Sequence, residues 1–339
     1  MQKIFKIDDE RRTPKYLQLM HCITKAIKNG TLKTNDRIPS INELSNEFLM
    51  SRQTVQKAYS LLIETGIVVP IQGKGYYINR TDISTPYRLL LILNKISNYK
   101  KQVYNAMIHT LNGKAIVEIK VHHSNTALLD EFITGHEKEF DYILIMPHFY
   151  ENQAKAVDII RKIPGEKLIL LDKDLPELPN TFISIYQDFK NDIIEALESS
   201  LESLRRYQQL ILIFPKLTQY PQEIETGFQI YCRQNQFPCK VISEFNLDSV
   251  LEKHSAYIVI EETDLVNLVK TIRSSQMTVG KDIGIISFNE TPLKEILLDG
   301  IAVISTDHEQ MGTMAAEMIL TNKKGKVKNP FRLIPRNSL

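Results

Sequence analysis

The chain contains 339 residues, of which 43% are hydrophobic and 24% are charged. This length predicts two or three domains, because chains divide into units of roughly 100–200 residues. The composition is that of a globular protein and excludes a disordered, collagen-like or coiled-coil chain. The longest apolar runs, Leu89–Leu93 and Tyr142–Met146, are far shorter than the roughly 20 residues that a membrane helix needs, so no membrane span is expected.

Neither the N-terminus nor the cysteines indicate export. Residues 1–8 contain no apolar signal segment, and we therefore predict a cytoplasmic protein. Cys22, Cys232 and Cys239 are few and lack the spacing of metal ligands, so we interpret them as small buried apolar residues. Neither a metal nor a cofactor is expected.

The charge is distributed unevenly along the chain. Residues 1–80 hold 13 lysines and arginines against 7 acids, a net +6, whereas residues 81–339 hold 29 against 33, a net −4. A basic head on a slightly acidic body indicates that the head contacts a polyanion. We therefore predict separate roles for the two parts.

The head begins with two predicted helices. Thr13-Pro14 supplies a capping residue and a proline suited to the first turn, and the apolar helical spacing that follows ends at Asn29-Gly30. Ser40 and Glu43 have the spacing of a capping box, in which each side chain binds the other residue's amide. The second helix should therefore begin at about Ile41.

A third helix and a hairpin complete the head. Ser51 is the predicted cap of the helix, which has one apolar stripe and one polar stripe. Gly66 ends it, and two short β segments, 67–69 and 76–78, follow with a glycine-rich turn between them. This order predicts a winged helix-turn-helix, an α+β fold that binds DNA.

The motifs of this segment resemble the DNA-binding head of GntR-family bacterial transcription regulators. They are the stretches 36–44, 51–58 and 72–75 together with Gly66, and they cover nearly all of residues 10–79. The resemblance implies phosphate contacts in the first stretch, major-groove contacts in the second and minor-groove contacts in the third. Asn42 stands where the family often has arginine, so one contact or the operator itself should differ. The predicted DNA-binding residues are Arg37, Ser40, Asn42, Ser51, Arg52, Gln53, Thr54, Gln56, Lys57, Gln72, Gly73 and Lys74.

Residues 81–87 are a predicted linker, polar and interrupted by Pro86, and residues 88–339 form the predicted body. Short apolar runs alternate there with helical stretches such as 151–163, 188–206 and 263–275. This alternation predicts parallel sheets in a two-lobed α/β fold. The predicted strands are 88–93, 115–121, 141–146, 167–171, 182–185, 209–214, 256–260, 283–288 and 301–305.

Polar residues after the predicted strands are candidates for ligand binding, because small molecules bind beyond the carboxyl ends of parallel strands. Alternatives remain open, since loops are polar in general and Asp188 can simply cap a helix. The adjacent pairs His122-His123 and Glu261-Glu262 point to opposite faces of a strand and do not indicate a metal or acid-base site. Residues 323–328 are a predicted solvated surface turn, with a second nucleic-acid patch as the alternative.

The body resembles the effector-binding domain of LacI-type repressors, which is similar to periplasmic sugar-binding proteins of type I. The resemblance rests on segments in the expected order: 97–99, 171–173, 187–188, 225–228, 283–290, 311–312 and 336–338. Glu225 stands where the family usually has arginine, and Glu262 and Asn289 each replace an aspartate. Position after a strand and this resemblance together give the predicted effector-binding residues Asn98, Tyr99, His148, Asp172, Lys173, Gln187, Asp188, Glu225, Glu262 and Asn289.

A GntR head on a LacI-like body resembles the arabinose-repressor-like subgroup. The resemblance implies a homodimeric repressor of carbohydrate utilisation genes that binds double-stranded operator DNA and is released by a monosaccharide such as arabinose or fucose. It implies no enzymatic activity. Two other hypotheses stay open: an α/β carbohydrate-modifying enzyme or aminotransferase fused to a DNA-binding head, and a DNA-binding protein whose body only dimerises. Turnover of a sugar would favour the first, and operator affinity insensitive to small molecules would favour the second.

Overall fold

The computed structural model describes residues 4–5, 7, 14–81, 86–136, 139–179, 181–216 and 220–339. Thr13, the predicted helix cap, and residues 82–85 of the predicted linker lie outside the described residues. The chain divides into two compact units, Met1–Pro86 and Tyr87–Leu339. None of the helices in the described ranges combines the length and the apolar character that a membrane crossing requires.

The first unit is a winged helix-turn-helix, as predicted. The reciprocal hydrogen bonds of Ser40 and Glu43 form the capping box at the start of α2, and Ser51 caps α3 by accepting from the amide of Thr54. The strands form a sheet in the order β1-β3-β2. The elements are α1 (Lys15–Lys28), β1 (Arg37–Ile38), α2 (Ile41–Glu47), α3 (Arg52–Glu64), β2 (Val68–Ile71) and β3 (Gly75–Ile78).

Tyr59 fixes the third helix of the head in place. Its ring is buried and packs edge-to-face on Tyr76 of β3, with 4.7 Å between the ring centroids. Its hydroxyl donates to the carbonyl of Pro39, just before α2. One side chain therefore sets α3 against both the turn and the wing, which are the parts that must be held together to present a surface to DNA.

The second unit has two lobes, and the first contains a six-stranded, wholly parallel sheet in the order β14-β8-β7-β6-β4-β5. Helices cover both faces, because its strands are apolar on both sides. Its elements are β4 (Tyr87–Leu93), α4 (Asn98–Leu111), β5 (Ala115–Val121), α5 (Thr126–Ile133), β6 (Tyr142–Ile145), α6 (Gln153–Ile160), β7 (Leu168–Asp172) and β8 (Ile183–Tyr186), joined later in the chain by α12 (His308–Leu320) and β14 (Gly325–Lys328).

The second lobe repeats this design with the strand order β10-β9-β11-β12-β13-β15, in which only β15 is antiparallel to its neighbour. The two-lobed α/β fold is therefore confirmed. Its elements are α7 (Phe189–Glu198), α8 (Leu201–Leu204), β9 (Gln209–Ile213), α9 (Glu223–Gln234), β10 (Cys239–Ile242), β11 (Ser255–Val259), α10 (Glu262–Ser274), β12 (Ile283–Phe288), α11 (Pro292–Ile296), a 3-10 turn (Leu297–Asp299), β13 (Ala302–Thr306) and β15 (Phe331–Ile334).

Three sequence predictions need correction. The single helix predicted over 188–206 is two helices, α7 and α8. The lysine-rich segment at the end of the chain is not a solvated turn: it contains strand β14, and Lys326 and Lys328 form salt bridges of 2.7 and 2.9 Å to acids of the first lobe and of α7. Cys239 is exposed rather than buried, because it begins β10 at the edge of its sheet.

The chain passes between the lobes three times, and Asn329 connects all three crossovers. These lie between β8 and α7, between β13 and α12, and between β14 and β15. The Asn329 amide donates to Tyr186 O at 2.7 Å, and its Nδ2 donates to Thr306 Oγ1 at 2.7 Å and to Asp307 O at 2.8 Å. Asn329 is fully buried, so these bonds are not exchanged for water.

Helix α12 packs very closely on α4 although 196 residues separate Leu111 from His308 along the sequence. A Cβ at Gly312 would lie 2.1 Å from the carbonyl oxygen of Val103, so only glycine permits this approach. The first lobe is therefore completed by a segment from the end of the chain.

We expect Asn329→Ala to lower the free energy of unfolding of the second unit by about 2 kcal/mol, because it removes two buried hydrogen bonds and leaves a void. Urea unfolding of the full chain followed by circular dichroism measures this. Asn98→Ala is the control, since Asn98 is exposed in the same unit. Equal stability of the two variants would contradict the connecting role of Asn329.

Candidate functional site

The head presents helix α3 as its predicted DNA-reading face. Ser51 and Thr54 bind each other at the helix start, with 2.8 Å between Oγ and Oγ1, so the first turn is fixed before any ligand arrives. The Nζ of Lys57 lies 4.2 Å from the ring centroid of Tyr16, which restrains that side chain. The exposed predicted residues of this helix and its cap are Ser51, Arg52, Gln53, Gln56 and Lys57, and Thr54 is half-buried.

The wing brings a second group of predicted residues together. Gly73 has a φ of +74°, which a residue without a Cβ adopts freely, and Gln72 and Lys74 beside it are exposed. A Cβ at Gly75 would lie 3.4 Å from Nε of Arg37, so the arginine of β1 lies alongside the wing. A glycine-lined tip flanked by cations can approach a DNA backbone closely.

Ser40 and Asn42 lie at the start of α2. The hydroxyl oxygen of Ser40 accepts from the Glu43 amide at 3.2 Å. Asn42 is exposed in the first turn. None of the twelve predicted DNA-binding residues is buried in the head, and their contacts with DNA stay a prediction.

The body contains an open cavity of about 380 Å³, solvent-open space included, between its lobes at the carboxyl ends of the strands. This is where ligands bind in open α/β sheets. Residues of both lobes contribute to it. The lining residues are Asn94, Lys95, Tyr99, Lys100, His148, Asp172, Gln187, Phe189, Tyr220, Phe288, Asn289 and His308.

Asp172 is held by two neighbours in this cavity. His148 Nε2 donates to Asp172 Oδ2 at 2.7 Å, and Gln187 Nε2 donates to Oδ1. Burial alone would raise the pKa of Asp172, but the bond from His148 and the nearby cations outweigh it and hold the pKa well below its usual range. Asp172 also has a φ of +76°, a strained conformation that recurs at binding sites.

A chain of hydrogen bonds links the two lobes across the cavity. Asn289 Nδ2 donates to the Tyr220 hydroxyl at 3.3 Å, and the Tyr220 and Tyr99 hydroxyls bind each other. Lys294 holds Asn289 from behind, because its Nζ donates to the carbonyls of Phe288 and Asn289 at 2.9 and 2.7 Å. Burial lowers the pKa of Lys294 to about 8 and raises that of Tyr99 to about 12.

The cavity divides the effector residues predicted from the sequence into two groups. Those that line it are Tyr99, His148, Asp172, Gln187 and Asn289. Those outside its lining are Asn98, Lys173, Asp188, Glu225 and Glu262.

Each residue outside the lining has a local explanation. Asp188 caps α7 by accepting from the Asn191 amide, Lys173 Nζ donates to Gln153, and Glu225 binds side chains of its own helix. Asn98 and Glu262 are exposed at helix starts.

The sequence reasoning missed cavity residues that lie on helices or are apolar. Lys100 is in the first turn of α4, Phe189 is the first residue of α7 and His308 is the first residue of α12. The signal that could have found them is the position of each helix start, since a helix that follows a strand begins at the strand's carboxyl end.

The buried histidines His148 and His308, which line the cavity, and His122 are neutral rings. Burial lowers the pKa of His122 and of His308 to about 4, and it lowers that of His148 although the Asp172 bond opposes this. His308 lies 5.0 Å from the Tyr99 ring centroid. In the described part of the chain no group of three or more histidines, cysteines or acids is arranged to hold a metal ion.

Two family models match this chain. Residues 15–78 match the bacterial regulatory proteins of the gntR family, and residues 204–339 match a periplasmic binding protein-like domain. The chain belongs to the GntR family of bacterial regulatory proteins and joins that head to a periplasmic-binding-protein-like body. The predictions of this family and of a regulatory protein rather than an enzyme are confirmed.

Individual proteins are similar to all or to part of this chain. The chain is 24% identical to the arabinose metabolism transcriptional repressor of Geobacillus stearothermophilus, over 97% of this chain and 98% of that protein. It is 30% identical to the HTH-type transcriptional repressor YtrA of Bacillus subtilis, over 31% of this chain and 77% of that protein. Its fold is similar to a crystal structure of the Lac repressor bound to ONPG, with a TM-score of 0.60, 15% identity and coverage of 85% and 90%.

The neutral histidines predict a pH dependence of stability. His308 has a pKa of about 4 in the folded protein against 6.5 for an unperturbed histidine. The unfolded chain therefore binds more protons between these values, and the free energy of unfolding falls as the pH falls from 6.5 to 4. We expect His308→Gln to reduce this slope by up to about 1.4 kcal/mol per pH unit.

Urea unfolding at several pH values between 4.5 and 6.5 measures the slope. The exposed His109→Gln variant is the control and should leave it unchanged. An identical slope in His308→Gln and wild type would show that His308 is not held neutral by burial.

Proposed function

We propose that this protein is a sugar-responsive transcription repressor, which binds operator DNA through its head and releases it when a sugar occupies the cavity of its body. The observation that carries the proposal is a winged helix-turn-helix joined to a two-lobed body whose polar cavity lies between the lobes. The repressor named among its full-length relatives supports the same function.

The head supports DNA binding through its exposed polar face. Arg52, Gln53 and Gln56 project from the first turns of α3, the part of a recognition helix that reaches base edges. Lys74 and Arg37 add positive charge at the wing, where contact with phosphates is expected. We propose that base edges are read by the helix and phosphates by the wing.

The body supports sugar binding through a buried hydrogen-bond acceptor in its cavity that has no partner in the described chain. Gln187 Oε1 is buried without a hydrogen-bond partner in the described chain, while its Nε2 is held by Asp172. A buried acceptor of this kind costs free energy unless a donor reaches it, and a sugar hydroxyl is such a donor. Tyr99, Tyr220 and Phe288 supply apolar ring surface against which a sugar ring packs.

The alternative that the body only dimerises is less well supported. A surface used solely for dimerisation does not require a buried cavity with polar atoms oriented by Asp172, Gln187 and Asn289. Hydrogen bonds between Tyr220 and residues of both lobes also give a ligand a direct way to alter the lobe arrangement.

We further propose that the repressor acts as a homodimer in the cytoplasm, where its DNA lies. Two heads would then read half-sites about 34–36 Å apart, one helical turn of DNA. A monosaccharide such as arabinose or fucose, or a derivative of one, is the proposed effector. By linkage, the effector must weaken operator binding by the same factor by which operator DNA weakens effector binding.

The decisive experiment measures operator retention by the full chain against a panel of pentoses, hexoses, deoxyhexoses and their phosphates. Operator DNA is first selected from a random pool by the same protein. Release by at least one sugar supports the proposal. If the selected DNA binds with the same affinity in the presence of every sugar, the responsive role is wrong.

We expect Arg52→Ala to weaken operator binding roughly tenfold or more, because a paired contact to a base edge contributes about 1–3 kcal/mol. Fluorescence anisotropy with the selected operator measures the change. Lys25→Ala removes an equal charge from an exposed position in the last turn of α1 and serves as the control. A folded Arg52→Ala protein with wild-type affinity would remove this arginine from the interface.

We expect Asn289→Ala to weaken effector binding roughly tenfold while operator affinity in the absence of effector is unchanged, since losing one buried polar partner costs about 1–3 kcal/mol. Asn98→Ala is the matched control, because the sequence predicts both asparagines as effector residues but only Asn289 lines the cavity. Calorimetry on the full chain compares the two. Equal losses in both variants would contradict the placement of the site.

A further inference from the structure

Lys100 is a buried lysine whose amino group has no hydrogen-bond partner among the described residues. It lies in the first turn of α4, is only 3% exposed and lines the cavity. Its Nζ has no hydrogen-bond partner among the described residues and lies 5.9 Å from the centroid of the Tyr99 ring. A buried ammonium without a partner is among the least favourable arrangements in a protein interior.

The groups that face Lys100 from every neighbouring element leave its charge unbalanced. Lys95 repels it, and the rings of His122, His148 and His308 are held neutral by burial. Asp172 is the facing anion, contributed by β7.

Asp172 does not complete an ion pair with this lysine. Its two carboxylate oxygens already accept from His148 and Gln187. No salt bridge within 4.0 Å joins it to Lys100 in the described part of the chain. Lys100 therefore has no paired anion among the described residues, and a ligand in the cavity could supply one.

We propose that the effector is an anionic sugar, a sugar phosphate or a sugar acid, whose phosphate or carboxylate pairs with Lys100. The proposal rests on the sugar-responsive function given above and narrows its effector to this class. Neutral hydroxyls bind at Gln187 Oε1 and Asn289, while the anion binds at the start of α4. Lys100 itself lies in that first helical turn, and the N-terminus of a helix favours negative charge.

The protonation of Lys100 supplies an independent signature. Burial and the repulsion from Lys95, opposed by Asp172, lower the pKa of Lys100 to about 7. An anion bound at Nζ raises that pKa, so binding above pH 7 takes up a proton. Affinity for the anionic sugar should then fall by up to about tenfold per pH unit between pH 7.5 and 9, where phosphates and carboxylates are already fully charged.

The test compares matched ligands on the full chain by calorimetry and by operator release. The probes are D-glucose with D-glucose 6-phosphate and D-glucuronate, and D-arabinose with D-arabinose 5-phosphate and D-arabinonate. Inorganic phosphate shows how much the anion binds without a sugar. The phosphate and carboxylate arms decide which anion the cavity accepts.

The variants are Lys100→Met and, as the control, Lys101→Met, which changes the exposed neighbouring lysine of the same helix. We expect wild type and Lys101→Met to bind one anionic sugar at least tenfold more tightly than its neutral parent. Lys100→Met should lose both this preference and the pH dependence. Its melting temperature without ligand should equal or exceed that of wild type, because an unpaired buried charge is removed.

Each result separates the two proposals. If a neutral sugar releases operator DNA as strongly as its anionic derivatives do, the repressor function is supported and the proposed role of Lys100 is wrong. Loss of stability in Lys100→Met also overturns it, because it would show that the ammonium already has a partner in the free protein. If no probe of either kind binds or releases DNA, the sugar-responsive function fails and the inference fails with it.

Discussion

The buried amide of Asn329 is the constraint on which the two-lobed body depends. It joins three chain segments that each lead from one lobe to the other, so the lobes cannot rearrange without moving around this point. The cavity begins directly beside these segments, since Gln187 follows Tyr186 and His308 follows Asp307. A ligand that shifts either side chain acts within two residues of the crossovers. The fold thereby places the recognition of a small molecule next to the region that would move in response to it.

The charge state of each buried group in the cavity depends on the hydrogen bonds and charges of its neighbours. Asp172 keeps its charge because His148 and Gln187 donate to both oxygens. The histidines are neutral because burial lowers their pKa more than the neighbouring groups raise it. Lys100 is buried like the histidines and has no hydrogen-bond partner among the described residues, so its protonation state should respond to a ligand in the cavity. Ligand binding and proton binding are therefore coupled at this residue.

The head could be predicted almost entirely from the sequence, because the capping box of Ser40 and Glu43 and the cap at Ser51 are local signals read within three residues. The parallel strands of the body were also predictable from short apolar runs. Half of the predicted effector residues line the cavity, among them Asp172 and Asn289, which were predicted from their position at the ends of strands. Glu225 and Glu262 did not line the cavity, because family position says nothing about which side of a helix turns inward. Lys100 and His308 were missed because the sequence does not reveal that α12 lies on α4.

That packing has a consequence for how the protein is made. The chain is synthesised from its N-terminus, so all elements of the head are available once its last strand, Gly75–Ile78, has left the ribosome. The first lobe must instead wait for α12 and for β14, which ends at Lys328 near the end of the chain. Until then the apolar surface that Gly312 and its helix cover, including Met107 on α4, stays open to water. A nascent chain would thus carry a folded DNA-binding head on an incompletely folded body. How long chaperones or DNA can bind this intermediate would depend on the translation rate and not on the sugar.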